Sequence, residues 1–155
     1  MDQILQELGA GISDPQQVAR VVIRLVASAV VGAIIGLQRQ RAHKPAGLRT
    51  HMLVALGAAV FVLVPLELHA PLGEVGRVIQ GVAVGIGFIG AGTILKRDEE
   101  GDVQGLTTAA GIWLTAAVGV AIGMGGIGIA LVATLLTWFI LSVVARIERW
   151  LGGQD

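Results

Sequence analysis

The sequence predicts an all-α polytopic membrane protein with five transmembrane helices, its N-terminus outside and its C-terminus in the cytoplasm. Three observations carry that prediction. Of 155 residues, 54% are hydrophobic and only 14% are charged, where a soluble domain has about 25% charged residues. Apolar runs long enough to cross a bilayer alternate with short charged breaks. The basic residues gather in alternate breaks, as the positive-inside rule requires. Twenty-three glycines in so aliphatic a chain indicate closely packed membrane helices rather than disorder, which needs low hydrophobicity.

Taken in order, the elements begin after an N-terminus whose first residues are acidic rather than basic, so no cleavable signal peptide is expected. Asp14, Pro15 and Gln17 read as an N-cap, a favoured first helical residue and a capping-box partner. Span one covers about 18–37. Only Leu25–Leu37 is free of charge, too short for a core of about 30 Å, so Arg24 is expected to snorkel toward the nearer interface. Pro45 and Gly47 interrupt the next stretch, RQRAHKPAGLRTH. Thr50 stands where a helix N-cap would sit ahead of span two, 50–66, which Pro65 closes. Span three, 78–95, holds five glycines, at 81, 85, 87, 90 and 92. No charge occurs from Val103 to Ala145, room for two spans, 106–123 and 127–146, with GMGGIG as the turn between them. All five spans form a single transmembrane domain, 1–155, with no separate soluble domain.

Orientation follows from charge. Arg39, Arg41, Lys44, Arg49, Lys96, Arg97, Arg146 and Arg149 fall on one side and Arg20, Arg24 and Arg77 on the other. Eight against three places loops 38–49 and 96–105 and the C-terminus in the cytoplasm, and the 67–77 loop outside. Trp150 then lies near the inner interface, where indole is favoured.

Several function classes are excluded by composition. Formal net charge is zero, which gives no reason to expect a nucleic-acid partner. Absence of cysteine removes disulfides, thiolate metal sites and a thiol nucleophile. Asparagine and tyrosine are missing, and the serines are only Ser13, Ser28 and Ser142. With no nucleophile–base pair, neither an enzyme nor a cofactor is expected. His43, His51 and His69 lack metal-ligand spacing, so no metal site is expected. Glu67 and Glu74 on the outer side and Asp98, Glu99, Glu100 and Asp102 on the inner side read as solvated loop charge.

Two sets of residues are functional candidates. Arg39, Lys44, Arg49, Thr50 and His51 form a cationic elbow. Its charges either fix topology and touch anionic headgroups, or form an anion or partner site where Arg49, Thr50 and His51 meet free N–H groups at a helix start. Arg49→Lys separates these readings, because lysine keeps the charge but not the planar fork. The second set is Gly81, Gly85, Gly87, Gly90, Gly92, Thr93, Thr107 and Thr108, read as helix packing or as a pathway.

Gly85-Ile-Gly87-Phe-Ile-Gly90 matches a dinucleotide fingerprint, but it lacks the strand and crossover helix that motif needs. Gly32/Gly36, Gly81/Gly85 and Gly119/Gly123 are instead small-xxx-small pairs suited to close helix approach. Five glycines in one span also invite a kink or break. None of the spans contains Asp or Glu, so an ion route would have only backbone carbonyls and hydroxyls such as Thr93, Thr107, Thr108 and Thr115.

Gly36-Leu37-x-Arg39, Lys44-Pro-Ala-Gly-Leu-Arg-Thr-His51 and Leu53-Val54-x-Leu56-Gly57 resemble the signature of the MgtC/SapB family of bacterial inner-membrane proteins. Gly85-x-Gly-Phe-Ile-Gly-Ala-Gly-Thr93 and Gly105-Leu-Thr-Thr-Ala-Ala110, with Trp113, resemble its further blocks. The match covers roughly Gly32 to Gly125. The resemblance implies a five-span membrane domain and adaptation to low magnesium; in well-studied members it also implies virulence and inhibition of the ATP synthase. Gln38 and Gln40 stand where members often carry acids. Longer members append a soluble cytoplasmic domain that is not expected in these 155 residues.

The combined expectation is a non-enzymatic membrane protein of this type, modulating a membrane partner and forming a homo-oligomer, most simply a dimer. The competing expectation is a small oligomeric ion transporter or channel.

Overall fold

Asp14 opens the first helix as expected: its side chain accepts a hydrogen bond from Gln16 N at 3.0 Å, and Pro15 follows at the first helical position. In the computed structural model, which describes residues 14–97 and 102–151, this helix, α1, runs over Pro15–Arg41. It is followed by α2 (Leu48–Glu67), α3 (Leu72–Ala91), β1 (Leu95–Arg97), β2 (Asp102–Gln104), α4 (Leu106–Gly123) and α5 (Ile127–Phe139). A π-helical segment, Ile140–Val144, leads into α6 (Ala145–Leu151). Five helical segments are long and apolar enough to cross a membrane, the fifth being Ile127–Ile147.

Several boundaries differ from the sequence reading, each for a local reason. α1 continues to Arg41 instead of stopping near Leu37, because Gln38, Arg39, Gln40 and Arg41 are good helix formers and cations suit a helix C-terminus. The cationic elbow therefore shrinks to residues 42–47. Thr50 is not the N-cap of α2. The helix starts at Leu48 behind Gly47, and Gln40 Oε1 accepts from Leu48 N at 3.3 Å, so α1 itself satisfies a first-turn donor.

The third helix is displaced toward the N-terminus. It starts at Leu72, right after Pro71, and carries Glu74 and Arg77 as an i,i+3 pair at 2.8 Å. It stops at Ala91 rather than Leu95, where Thr93 Oγ1 donates to Gly90 O at 2.7 Å. Leu95–Arg97 then pairs antiparallel with Asp102–Gln104, a small hairpin the sequence reading left as loop. Asp98, Glu99 and Glu100 of the expected acidic cluster lie outside the described residues. α3 runs unbroken through its glycines. Span four and the GMGGIG turn fall where expected, with Gly125 at φ 88° supplying a left-handed residue.

The protein packs around α2 and α4. In α4, half of the membrane-length window is buried, against 11% in α3. Close approach is set by glycine: a Cβ on Gly32 would lie 2.6 Å from His51 O, and one on Gly36 2.8 Å from Leu48 Cα. Further along α2, Gly119 abuts the Ala55 backbone, and a Cβ on Gly123 would lie 2.9 Å from Ala59 O. Two of the three small-xxx-small pairs thus seat α1 and α4 against α2. The third pair, Gly81/Gly85, has nothing near it in the protomer. Arg24 is not free at an interface: its Nη1 donates to Gly123 O at 2.9 Å, pinning α1 to the end of α4.

Candidate functional site

The buried polar residues of the bundle, apart from hydroxyls bonded to their own helix, converge at the end where α1 stops and α2 starts. Arg39, in the last turn of α1, is 3% exposed, and its Nη2 donates to Thr108 Oγ1 at 2.6 Å. His51, in the first turn of α2, is fully buried and places Nδ1 2.7 Å from Thr115 Oγ1. Thr108 and Thr115 lie two turns apart on one face of α4, so one helix holds both partners in register. Thr115 donates its own proton to Gly111 O at 2.7 Å.

Packing holds this arrangement without sealing its hydrogen bonds. Gly36 leaves room for the His51 side chain, since a Cβ there would lie 3.0 Å from His51 Cβ. Gly111 faces His51 Cε1, at 3.7 Å from where its own Cβ would be. Ala46, buried in the elbow, joins a core with Ile86 and Ile112. Yet Arg39 Nε, His51 Nε2 and Gln38 Oε1 are buried and have no hydrogen-bond partner among the described residues. The one ion pair among the described residues joins Arg77 and Glu74, and Asp14, Glu67 and Glu74 sit at the ends of their helices away from Arg39.

The elbow candidates part company here. Arg39 and His51 are both buried in the bundle. Lys44 and Arg49 are exposed, and Thr50 is half-buried. The anion site imagined from Arg49, Thr50 and His51 together does not form, because residues two apart on a helix face away from one another. The glycine-threonine set is likewise divided. A Cβ on Gly81, Gly85 or Gly87 would meet no atom within 4 Å, whereas Gly90 packs on Ala109. Gly92 meets only the carbonyls of its own helix end, and Thr93 closes α3. Thr107 is exposed and Thr108 serves Arg39. Gly87 and Gly90 line an apolar groove of about 240 Å³ between α3 and α4, bounded by Ile86, Ala109 and Trp113.

Sequence reading missed Gln38, whose Nε2 donates to Leu141 O at 2.8 Å within the π segment. Nothing in local patterning announces that contact. Thr134 and Thr137 donate back to Ala130 O and Ala133 O just before it, a pattern that bends helices. The Thr108–Thr115 spacing of seven was a legible signal of a shared face.

The profile of the MgtC family matches residues 25–150. The chain belongs to the MgtC family. It is 47% identical over 141 residues to Protein SrpB of Synechococcus elongatus, covering 83% of this chain and 78% of that one. It is 42% identical over 132 residues to the "Putative magnesium transporter YhiD" of Escherichia coli K12, covering 81% of this chain and 60% of that one. It is 43% identical over 115 residues to Protein MgtC of Salmonella typhimurium, covering 74% of this chain and 48% of that one. The chain therefore spans only about half to three fifths of the length of the last two relatives. No solved structure matches it. Family membership and five membrane-length helices make this a multi-pass membrane protein.

Proposed function

We propose that this MgtC-family chain is a bacterial inner-membrane protein linked to magnesium homeostasis. In this reading it acts non-enzymatically, by engaging a membrane partner rather than by conducting ions. The N-terminus faces outside, and the basic end of the bundle faces the cytoplasm, in line with the distribution of Lys and Arg. The magnesium link rests on the family and on the name of the 42% identical YhiD.

The observation that carries the partner reading is the sign of the buried polar core. Arg39, His51, Thr108 and Thr115 are the groups that meet inside the bundle, and none is a carboxylate. Mg²⁺ is held by hard oxygens, usually including a carboxylate, and keeps several waters. A guanidinium in its path repels it in a medium of low dielectric. The groove beside Gly87 and Gly90 is apolar and offers no such ligands. The exposed Gly81/Gly85 edge of α3 is a surface on which a second copy packs, most simply in a two-fold dimer. A larger membrane complex, such as the ATP synthase implied by the family resemblance, is the other class of partner.

The test is reconstitution. Purified protein in liposomes is expected to give no Mg²⁺ flux above empty vesicles, while the same gene restores growth in low magnesium to a strain lacking its own copy. Saturable flux that depends on the protein would replace this reading with the transporter.

A further inference from the structure

We propose that the C-terminal end of the fifth span is a two-register helix, and that Gln38 is the latch holding it in its π register. The juxtaposition behind this is a bond across the bundle. Gln38 Nε2, in the last turn of α1, donates to Leu141 O at 2.8 Å, inside the π-helical segment Ile140–Val144. This conformational device stands apart from the partner reading above and does not depend on what the chain engages.

A helix leaves its regular hydrogen-bond pattern for identifiable causes: proline, glycine, or a group inserted into the ladder of backbone bonds. From Ile129 to Leu151 the sequence holds neither proline nor glycine. Nothing in its covalent structure therefore forbids an unbroken α-helix there. Thr134 and Thr137 donate back to Ala130 O and Ala133 O, which bends the helix ahead of the segment but does not reach its carbonyls. The Gln38 amide does reach one, and it is the inserted group.

The latch is mounted firmly. Arg39 Nη2 donates to Thr108 Oγ1 on α4, and Gln40 Oε1 accepts from Leu48 N on α2. Consecutive residues point about 100° apart around a helix, so Gln38, Arg39 and Gln40 each reach a different neighbour. The backbone that carries Gln38 is thus tied to α2 and α4, and the π segment is the member that can yield.

Geometry gives the consequence. A π turn closes i→i+5 bonds, one residue more than an α turn. Return to the α register turns everything beyond the segment by about 100° around the helix axis and moves it about 1.5 Å along that axis. What lies beyond is α6, whose Arg146, Ile147 and Trp150 are exposed. The end of α1 therefore sets which way α6 presents those side chains, and displacing Gln38 releases it.

Nitroxide labels on pairs of introduced cysteines test this in the full chain in liposomes, since the sequence has no cysteine of its own. Dilution with unlabelled chain restricts the reading to distances within one copy. One pair joins Leu53, exposed on α2, to Ile147 in α6; the control joins Leu53 to Leu131, exposed on α5 ahead of the π segment. Gln38→Leu removes the donor. It should shift the 53–147 distance by several ångströms, the sweep of a side chain about 5 Å from the axis turned by about 100°. The 53–131 distance should stay parental. Deleting Val144 from the Gln38→Leu chain removes the extra residue of the π turn and should restore the parental 53–147 distance. General loss of stability is not repaired by a deletion, so this rescue reads register alone. An unchanged 53–147 distance in Gln38→Leu, a shift that the deletion does not reverse, or one shared with the 53–131 pair overturns the proposal.

Discussion

Arg24 Nη1 donates to the carbonyl oxygen of Gly123 at 2.9 Å, which ties the N-terminal half of α1 to the last residue of α4. The last carbonyls of a helix have no partners within it and lie at the negative end of its dipole. A guanidinium there answers both needs, and it occupies the space where Gly125 has no side chain. A Cβ on Gly125 would lie 2.8 Å from Arg24 Nη2.

Two substitutions at this joint should therefore act alike. Arg24→Leu leaves the Gly123 carbonyl unanswered and should cost about 1 kcal/mol, the lower end for a bond to a charged group that is partly exposed. Gly125→Ala meets the guanidinium and forces a side chain onto φ 88°, for about 1–2 kcal/mol. Denaturant midpoints in detergent measure both. An Arg24→Leu midpoint equal to the parent's would remove the joint from the stability account.

Glycines on α4 and α3 should respond in opposite ways. Gly119→Ala drives a methyl into the Ala55 backbone, and overpacking of that kind costs about 1–3 kcal/mol. Gly85→Ala meets open space and should leave stability unchanged or raise it by up to about 1 kcal/mol through helix propensity. Gly85→Leu should fold and yet weaken self-association. Analytical ultracentrifugation in mild detergent would find it more monomeric than the parent. A parent that is itself monomeric at all concentrations removes the α3 edge as an interface.

Some features were readable from local chemistry. Asp14–Pro15 starts a helix in any context, and the long uncharged stretch from Val103 to Ala145 can hardly be anything but two apolar helices around a glycine turn. Gly32/Gly36 and Gly119/Gly123 were readable as close-packing pairs, but not which helix they would seat. That depends on α2 lying between α1 and α4, which no single segment encodes. The elbow misled for a related reason. A basic run beside an apolar one looks like loop, and only the long-range bond from Arg39 to Thr108 tells a buried cation from an exposed one. Thr50 failed as a cap because the helix had already begun at Leu48, which leaves Thr50 inside its first turn. The Leu95–Gln104 hairpin has three residues per strand, too few for periodicity to reveal.

Labelling can decide the orientation. Single cysteines at Ala42, in the basic elbow, and at Ala70, in the turn between α2 and α3, sit at opposite ends of α2. Both positions are outside the helices, so accessibility reports sidedness rather than burial. An impermeant maleimide added to intact cells should modify the residue-70 cysteine and reach the residue-42 cysteine only after the membrane is permeabilised. Modification of both in intact cells contradicts a five-span path with the basic end inside.

Arginine-to-lysine exchange at two positions separates the buried cation from the exposed one. Arg49 is exposed, so Arg49→Lys preserves its charge and should support growth in low magnesium as the parent does. The sequence offered Arg49 as a candidate clamp; in the fold Arg49 is exposed and Arg39 is the buried guanidinium. Arg39 reaches Thr108 with Nη2 while Nε faces the interior, a two-donor edge that a single ammonium cannot reproduce. Arg39→Lys keeps the positive charge, and so the topology signal, but should lose a charge-assisted bond worth roughly 1.5–3 kcal/mol. That weakens whatever Arg39 binds by tenfold or more. Arg39→Lys is therefore expected to reach the membrane at parental abundance and yet fail to restore growth. Immunoblotting of membrane fractions beside growth curves checks both halves. If Arg39→Lys complements fully while Arg49→Lys does not, the exposed residue is the functional one and the buried guanidinium is structural.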